Sequence, residues 1–168
     1  MPYLGSTLFV STIVVFSLVS LLATLLLGLA LFRPFVERVA RASHSRPKTS
    51  LLVGLPITLL LAGVLAACAR AGGLGRGVAI VLGASALTVL FIGLTGLALN
   101  VGAALSAARE PQHRLVLRGA LVLELAMALP LFGWFILTPL FTIWALGASV
   151  IALFEVSPAP SHADAPLR

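Results

Sequence analysis

Four long apolar stretches, set apart by short segments rich in arginine, proline and glycine, dominate the pattern of hydrophobic and polar positions. Leu8 to Phe32 carries no charge over twenty-five positions, Leu51 to Ala69 none over nineteen, and Val78 to Ala108 none over thirty-one. Gly119 to Phe154 runs for thirty-six residues with one formal charge, Glu124. About 20 helical residues cross a hydrocarbon core of about 30 Å, so the first two stretches each predict one span and the third a long, tilted one. The fourth is too long for one straight helix and slightly short for two. Pro130, Gly133 and Pro139 lie inside it and predict a break at residues 130–133.

The expectation is an all-α fold: a polytopic transmembrane helical bundle forming a single domain over residues 1–154, with spans at about 8–32, 51–69, 78–106 and 119–154. Four principal spans are expected, and five are the alternative if residues 115–129 cross instead of re-entering. A secretory leader fits the first stretch poorly, because the start lacks a positive segment and the apolar run is too long. The tail 155–168, rich in Pro, Ala and polar residues, is expected to be disordered.

Small and polar residues fall at helical spacing within two of these stretches. Ser17, Ser20, Thr24 and Gly28 share one face of the first; Ala86, Gly93, Gly96, Asn100, Ala103 and Ala107 share one face of the third. In lipid, where burial of apolar surface drives nothing, such faces serve close helix packing, with Asn100 bonding to a neighbour's hydroxyl or carbonyl. Pro56 is expected to kink the second span, with Thr58 or a neighbouring helix covering the carbonyl it frees. The glycine-rich stretch from Arg70 to Gly77 lacks the Gly-Lys-Ser/Thr ending of a phosphate loop and reads as a flexible connection.

Composition sharpens this picture. With 60% hydrophobic residues, 10% charged residues and a mean hydropathy of +1.15, the chain lies far outside the usage of soluble domains. Its net charge of +6 is unevenly placed. The segment from Arg33 to Ser50 holds Arg33, Arg38, Arg41, Arg46 and Lys48, and that from Arg109 to Arg118 holds three arginines, whereas the stretch after the second span holds two and the tail one. The two basic segments therefore belong on the cytoplasmic side, with the N-terminus outside. Phe35, Val36 and Val39 among the arginines predict one or two turns of interfacial helix, a cytoplasmic basic loop lying on anionic lipid headgroups or meeting an acidic partner. Nucleic acid is not an expected partner, because no basic face is interleaved with exposed aromatics.

Candidate chemistry is sparse. Glu124 is the one acid inside an apolar run, and with Asn100 it forms the candidate intramembrane polar site; ionised at the bilayer centre it would cost about 3 kcal/mol or more. Arg118, six residues earlier, lies on another face, so Asn100, the serines of the first helix or a second subunit are its expected partners. His44, His113 and His162 are scattered, Cys68 is the only cysteine, and no serine lies in a nucleophile elbow. Neither a catalytic set nor a cofactor or metal is expected. The bilayer, other membrane proteins and further copies of the chain are the expected partners.

The junction LFRPFVERVARASHSRPKTSLLVGL, Leu31 to Leu55, resembles that of a bacterial integral-membrane domain: a span, a proline, a basic loop, a second proline, then Ser-Leu-Leu-x-Gly-Leu. This domain closes some bactofilin-type polymer-forming proteins and also occurs alone. The run LPLFGWFILTPLFTIWALGASVIALF, Leu129 to Phe154, is similar to its closing pattern of Pro, two residues, Gly-Trp, an apolar helix and Gly-Ala. The likeness brackets most of residues 15–154 but departs where the family often has Thr-x-Gly-x-Pro and this chain has Gly72 to Gly77. It implies a multi-pass helical protein of the bacterial inner membrane with no established activity, and no functional residues carry over.

Overall fold

The computed structural model describes residues 2–106, 110–129 and 131–154, with side chains at Thr12 and from Val15 onward. Expectations that rest on Ala107, Arg109, Pro130, His162 and the tail 155–168 lie outside the described residues. The described residues form five α-helices: α1 Pro2–Ser45, α2 Pro47–Arg70, α3 Gly73–Leu105, α4 Gln112–Met127 and α5 Thr138–Phe154, the last entered through a π-helical turn, Gly133–Leu137. Among the described residues there is no strand. Helices α1, α2, α3 and the joined π turn and α5 are each long and apolar enough to cross a membrane, so the chain is a multi-pass, all-α membrane protein with four such helices.

Two segments read as loops are largely helical. α1 does not stop at Phe32; it kinks there (φ −122°, ψ 31°) and continues through the basic segment. Pro34 has no N–H for the carbonyl of Ala30 and crowds the preceding turn, which accounts for a bend at that place. The basic segment is thus about three and a half turns of helix, not a loop with one or two turns. Its apolar side is not laid on the bilayer surface: Val36, Val39 and Ala42 are fully buried inside the bundle. Arg46 alone separates α1 from α2, and Pro47 opens α2 where a missing N–H costs nothing. Lys48 consequently stands in the first turn of α2.

The expected flexible connection of Arg70 to Gly77 is also tighter. Only Ala71 and Gly72 separate α2 from α3, and Gly72 turns the chain at φ 86°, a region that side chains disfavour. Helix α2 runs through Pro56 as one element. Thr58 donates its hydroxyl to the Gly54 carbonyl at 2.7 Å, not to Leu52, whose carbonyl is the one that Pro56 frees.

Helix directions follow from contacts far apart in sequence. Phe91 of α3 shares a groove with Phe16, Ser20 and Thr24 of α1, and Thr95 meets Leu25 and Gly28, so α1 and α3 run parallel. The Ser149 hydroxyl of α5 donates to the Val89 carbonyl at 3.4 Å, Gly93 faces Ala145, and Asn100 and Val101 share a cavity with Phe141 and Trp144. Numbers rise along α3 as they fall along α5, so these two are antiparallel. α2 returns along α3 after its tight turn, with Leu65 against Gly83.

One end of the bundle therefore carries Pro2, the Ala71–Gly72 turn and Phe154. The other carries the second arm of α1, the α3–α4 connection and the entry to α5. For α5 to run antiparallel to α3 it must start at the end where α3 finishes, and α4 leads into that start. Its sixteen residues span about 24 Å, less than a hydrocarbon core. The break lies between Met127 and Gly133, and the latter packs against the Met127 carbonyl. The four helices long and apolar enough to cross match the four principal spans expected, and α4 is not among them.

Candidate functional site

The two arms of α1 close on adjacent residues of α3. The Thr95 hydroxyl donates to the Phe91 carbonyl at 2.8 Å and reaches the Leu25 carbonyl at 3.5 Å, with Gly28 beside it; Val39 and Ala40 cover Gly96. On a straight helix Gly28 and Val39 would lie about 16 Å apart. The bend at Phe32 brings them to neighbouring positions about 100° apart around α3, so α1 clasps α3 at one level. Gly96 permits this: a Cβ there would meet Val39 Cγ1 at 2.7 Å.

One turn further on, Asn100 locks the clasp. Its Nδ2 donates to the Ala40 carbonyl at 2.7 Å and to the Ser43 hydroxyl, which itself donates to the Ala40 carbonyl at 3.0 Å. The Ala40 carbonyl only accepts, which orients the amide. Asn100 thus meets both a hydroxyl and a carbonyl of a neighbouring helix, and it holds a helix end in place instead of facing Glu124.

Close backbone approach also joins the other helices. A Cβ at Gly93 would lie 2.5 Å from the Ala145 carbonyl; Gly54 and Gly147 sit against the carbonyls of Ile143 and Ser50, and Gly102 and Gly119 against those of Leu115 and Ala98. Gly93 and Gly96, singled out by their spacing, lie at these crossings. Gly54, Gly102, Gly119 and Gly147 were not singled out, although Ser50-x-x-x-Gly54 and Ala98-x-x-x-Gly102 carry the small-x-x-x-small signal that would have found two of them. Of the stripe on the first helix, Gly28 faces α3 closely, since a Cβ placed on it would lie 3.1 Å from Thr95 Oγ1. Ser17, Ser20 and Thr24 line an open groove of about 550 Å³ beside Phe91, and the Thr24 hydroxyl donates within its own helix to Ser20.

The charged groups gather at the end that holds the second arm of α1. Arg33 pairs with Glu37 at 3.3 Å, Gln112 donates to the same carboxylate at 2.8 Å, and Arg118 pairs with Glu110 at 2.8 Å and reaches Ser106 at 3.3 Å. Arg38 lies over the Phe35 ring at 5.4 Å, and Arg41 donates to the Glu37 carbonyl. Arg41, His44, Arg46 and Lys48 are exposed. Glu124 lies half-buried on α4, with Oε2 closed off from solvent and without a hydrogen-bond partner; Trp144 Nε1 and Ser50 Oγ are in the same condition. A cavity of about 240 Å³ separates Asn100, Ser43 and His44 from Leu123, Phe141 and Trp144.

No family model, curated protein or solved structure matches this chain. Its chemistry must be read from the arrangement itself. Among the described residues no three His, Cys, Asp or Glu side chains stand together as a metal site would require. What the geometry does provide is a helix arm packed on Gly96 and Asn100 along its inner side and carrying exposed arginines on its outer side.

Proposed function

We propose that this chain is a non-enzymatic integral membrane protein whose bundle serves as a structural scaffold, recruiting partners through the basic helical arm of residues 33–45. One observation carries this reading: the arm is held rigidly by Val39 on Gly96 and by Asn100 on Ala40 and Ser43, while Arg41 and His44 point outward. Thr95, Asn100 and Ser149 each reach a neighbouring helix through a hydrogen bond inside the bundle. The two basic segments share one end, and their excess of positive charge supports a cytoplasmic location for that end, with the N-terminus outside. The likeness to the bactofilin-associated domain supports a bacterial inner membrane as the location, with anionic headgroups and other membrane proteins or further copies of the chain as partners.

Gly93→Leu and Gly96→Leu should each lower thermal stability or oligomer mass, and unchanged values for both would count against a packed scaffold. Reporter fusions after Ser45 and Gln112 should give a cytoplasmic signal and those after Gly73 and Phe154 an external one; an external signal at Ser45 reverses the orientation. A second reading, a small transporter or channel subunit, draws on the unpartnered Glu124 carboxylate beside the broken segment. On that reading Glu124→Gln abolishes a proton or solute flux in proteoliposomes, and the absence of any flux with the unaltered protein removes it.

A further inference from the structure

A cavity of about 700 Å³ lies between the end of the first arm of α1 and the start of α4. Its wall changes character along its length: Leu29 and Ala30 of α1 give way to Arg33, with Glu110, Gln112 and His113 opposite. A phospholipid shows the same order, from acyl chain to phosphate to terminal group. The cavity lies where α1 leaves its apolar run, the depth at which headgroups begin. Its volume falls within the roughly 300–1,000 Å³ of small-molecule sites.

The polar side is short of donors. Glu110 accepts from Arg118 through Oε1, and its Oε2 has no partner. Gln112 gives its NH2 group to the Glu37 carboxylate, which only accepts, so its carbonyl Oε1 is turned away and is likewise without a partner. Two neighbouring side chains of one wall thus carry unmatched acceptors, each closed off from solvent behind the cavity lining. Arg33 uses Nε on Glu37, and its side chain is 65% exposed, which leaves the rest of its guanidinium open to an anion.

We propose that this cavity binds a phospholipid whose headgroup ends in a primary ammonium. The ammonium donates to Glu110 and Gln112, the phosphate lies on Arg33 beside His113, and the upper acyl chain follows Leu29 and Ala30. Three N–H donors on one cation suit two acceptors, one of them charged; a quaternary ammonium has none to offer. Both acceptor oxygens are shielded from solvent, so the ammonium reaches Glu110 through a turn of that side chain, which a single ion pair holds. The proposal stands whether the bundle recruits partners or passes solutes.

The test is native mass spectrometry of the full chain in detergent with phosphatidylethanolamine, phosphatidylcholine and phosphatidylglycerol of identical acyl chains. The ethanolamine adduct should be retained about tenfold over the choline adduct, the difference made by charge-assisted hydrogen bonds. Glu110→Gln should erase that preference, and Arg70→Gln, at the opposite end, should leave it intact. Ala30→Trp, which fills the cavity from an exposed position, should abolish retention of the ethanolamine lipid with helix content unchanged. Equal retention of ethanolamine and choline lipids, retention of the glycerol lipid alone, or an ethanolamine adduct that survives Ala30→Trp would each overturn the proposal.

Discussion

The two halves of α3 are similar in sequence and opposite in use. In the first half Leu74, Ile80, Val81 and Leu87 are exposed, as are Leu59 and Leu60 on the facing part of α2. In the second half Ile92, Gly93 and all of residues 95–99 are buried, enclosed by both arms of α1 and by α4 and α5. Both halves contain glycine, but nothing lies within 4 Å of a Cβ placed on Gly73 or Gly77, whereas Gly93, Gly96 and Gly102 meet a neighbour at once. A glycine in a membrane helix is therefore a contact only where a neighbouring helix comes close. The open half offers its apolar side chains to lipid, and the closed half supplies the specificity of the fold through backbone approach and a few hydrogen bonds.

The largest effects should come from filling the closed half. Gly147→Ile and Gly119→Ile press a side chain onto the carbonyls of Ser50 and Ala98, and each should lower unfolding free energy by about 3 kcal/mol. Gly63→Ile and Gly77→Ile, in the open half, should stay within about 0.5 kcal/mol. Equal losses at the four sites, measured by denaturant unfolding in one detergent, would dissolve the distinction.

Asn100→Ala removes both bonds to the clasp and should cost about 1–1.5 kcal/mol; a double-mutant cycle with Ser43→Ala should show coupling, because the hydroxyl is one of its acceptors. Gly72→Ala should cost about 1 kcal/mol for backbone conformation alone, since no atom obstructs its Cβ. Smallest of all, Arg33→Gln should change stability by less than about 0.5 kcal/mol, because that ion pair is solvent-screened. A loss above 1 kcal/mol there would show that the outer face of the clasp also holds it closed.

Much of the closed half was readable in part. The spacing of Gly93, Gly96 and Asn100 marks a packing face, and each stands where another helix comes near. The segment from Arg33 to Ser45 was misread because its arginine content dominates the impression, while Val36, Val39, Ala40 and Ser43 at helical spacing form a narrow apolar face that shows only once α3 and α5 are in place. Glu124 and Asn100 were joined as one polar site because both are rare in an apolar setting. The structure separates them: Asn100 turns to α1, and Glu124 stays on α4 without a partner.

By itself the sequence determined that this is a helical membrane protein with four apolar spans, an interrupted terminal run and positive charge concentrated in two segments. These are local properties, set by the length of an uncharged run against the thickness of a bilayer and by the missing N–H of proline. Only the tertiary structure decided that α4 packs on α3 through Gly119 and Gly102, that the basic segment is a packed arm, and which glycines carry the contacts. Each of those depends on residues distant in the chain, Asn100 with Ala40, Ser149 with Val89, Gly54 with Ile143, brought together by helix directions that no local pattern encodes.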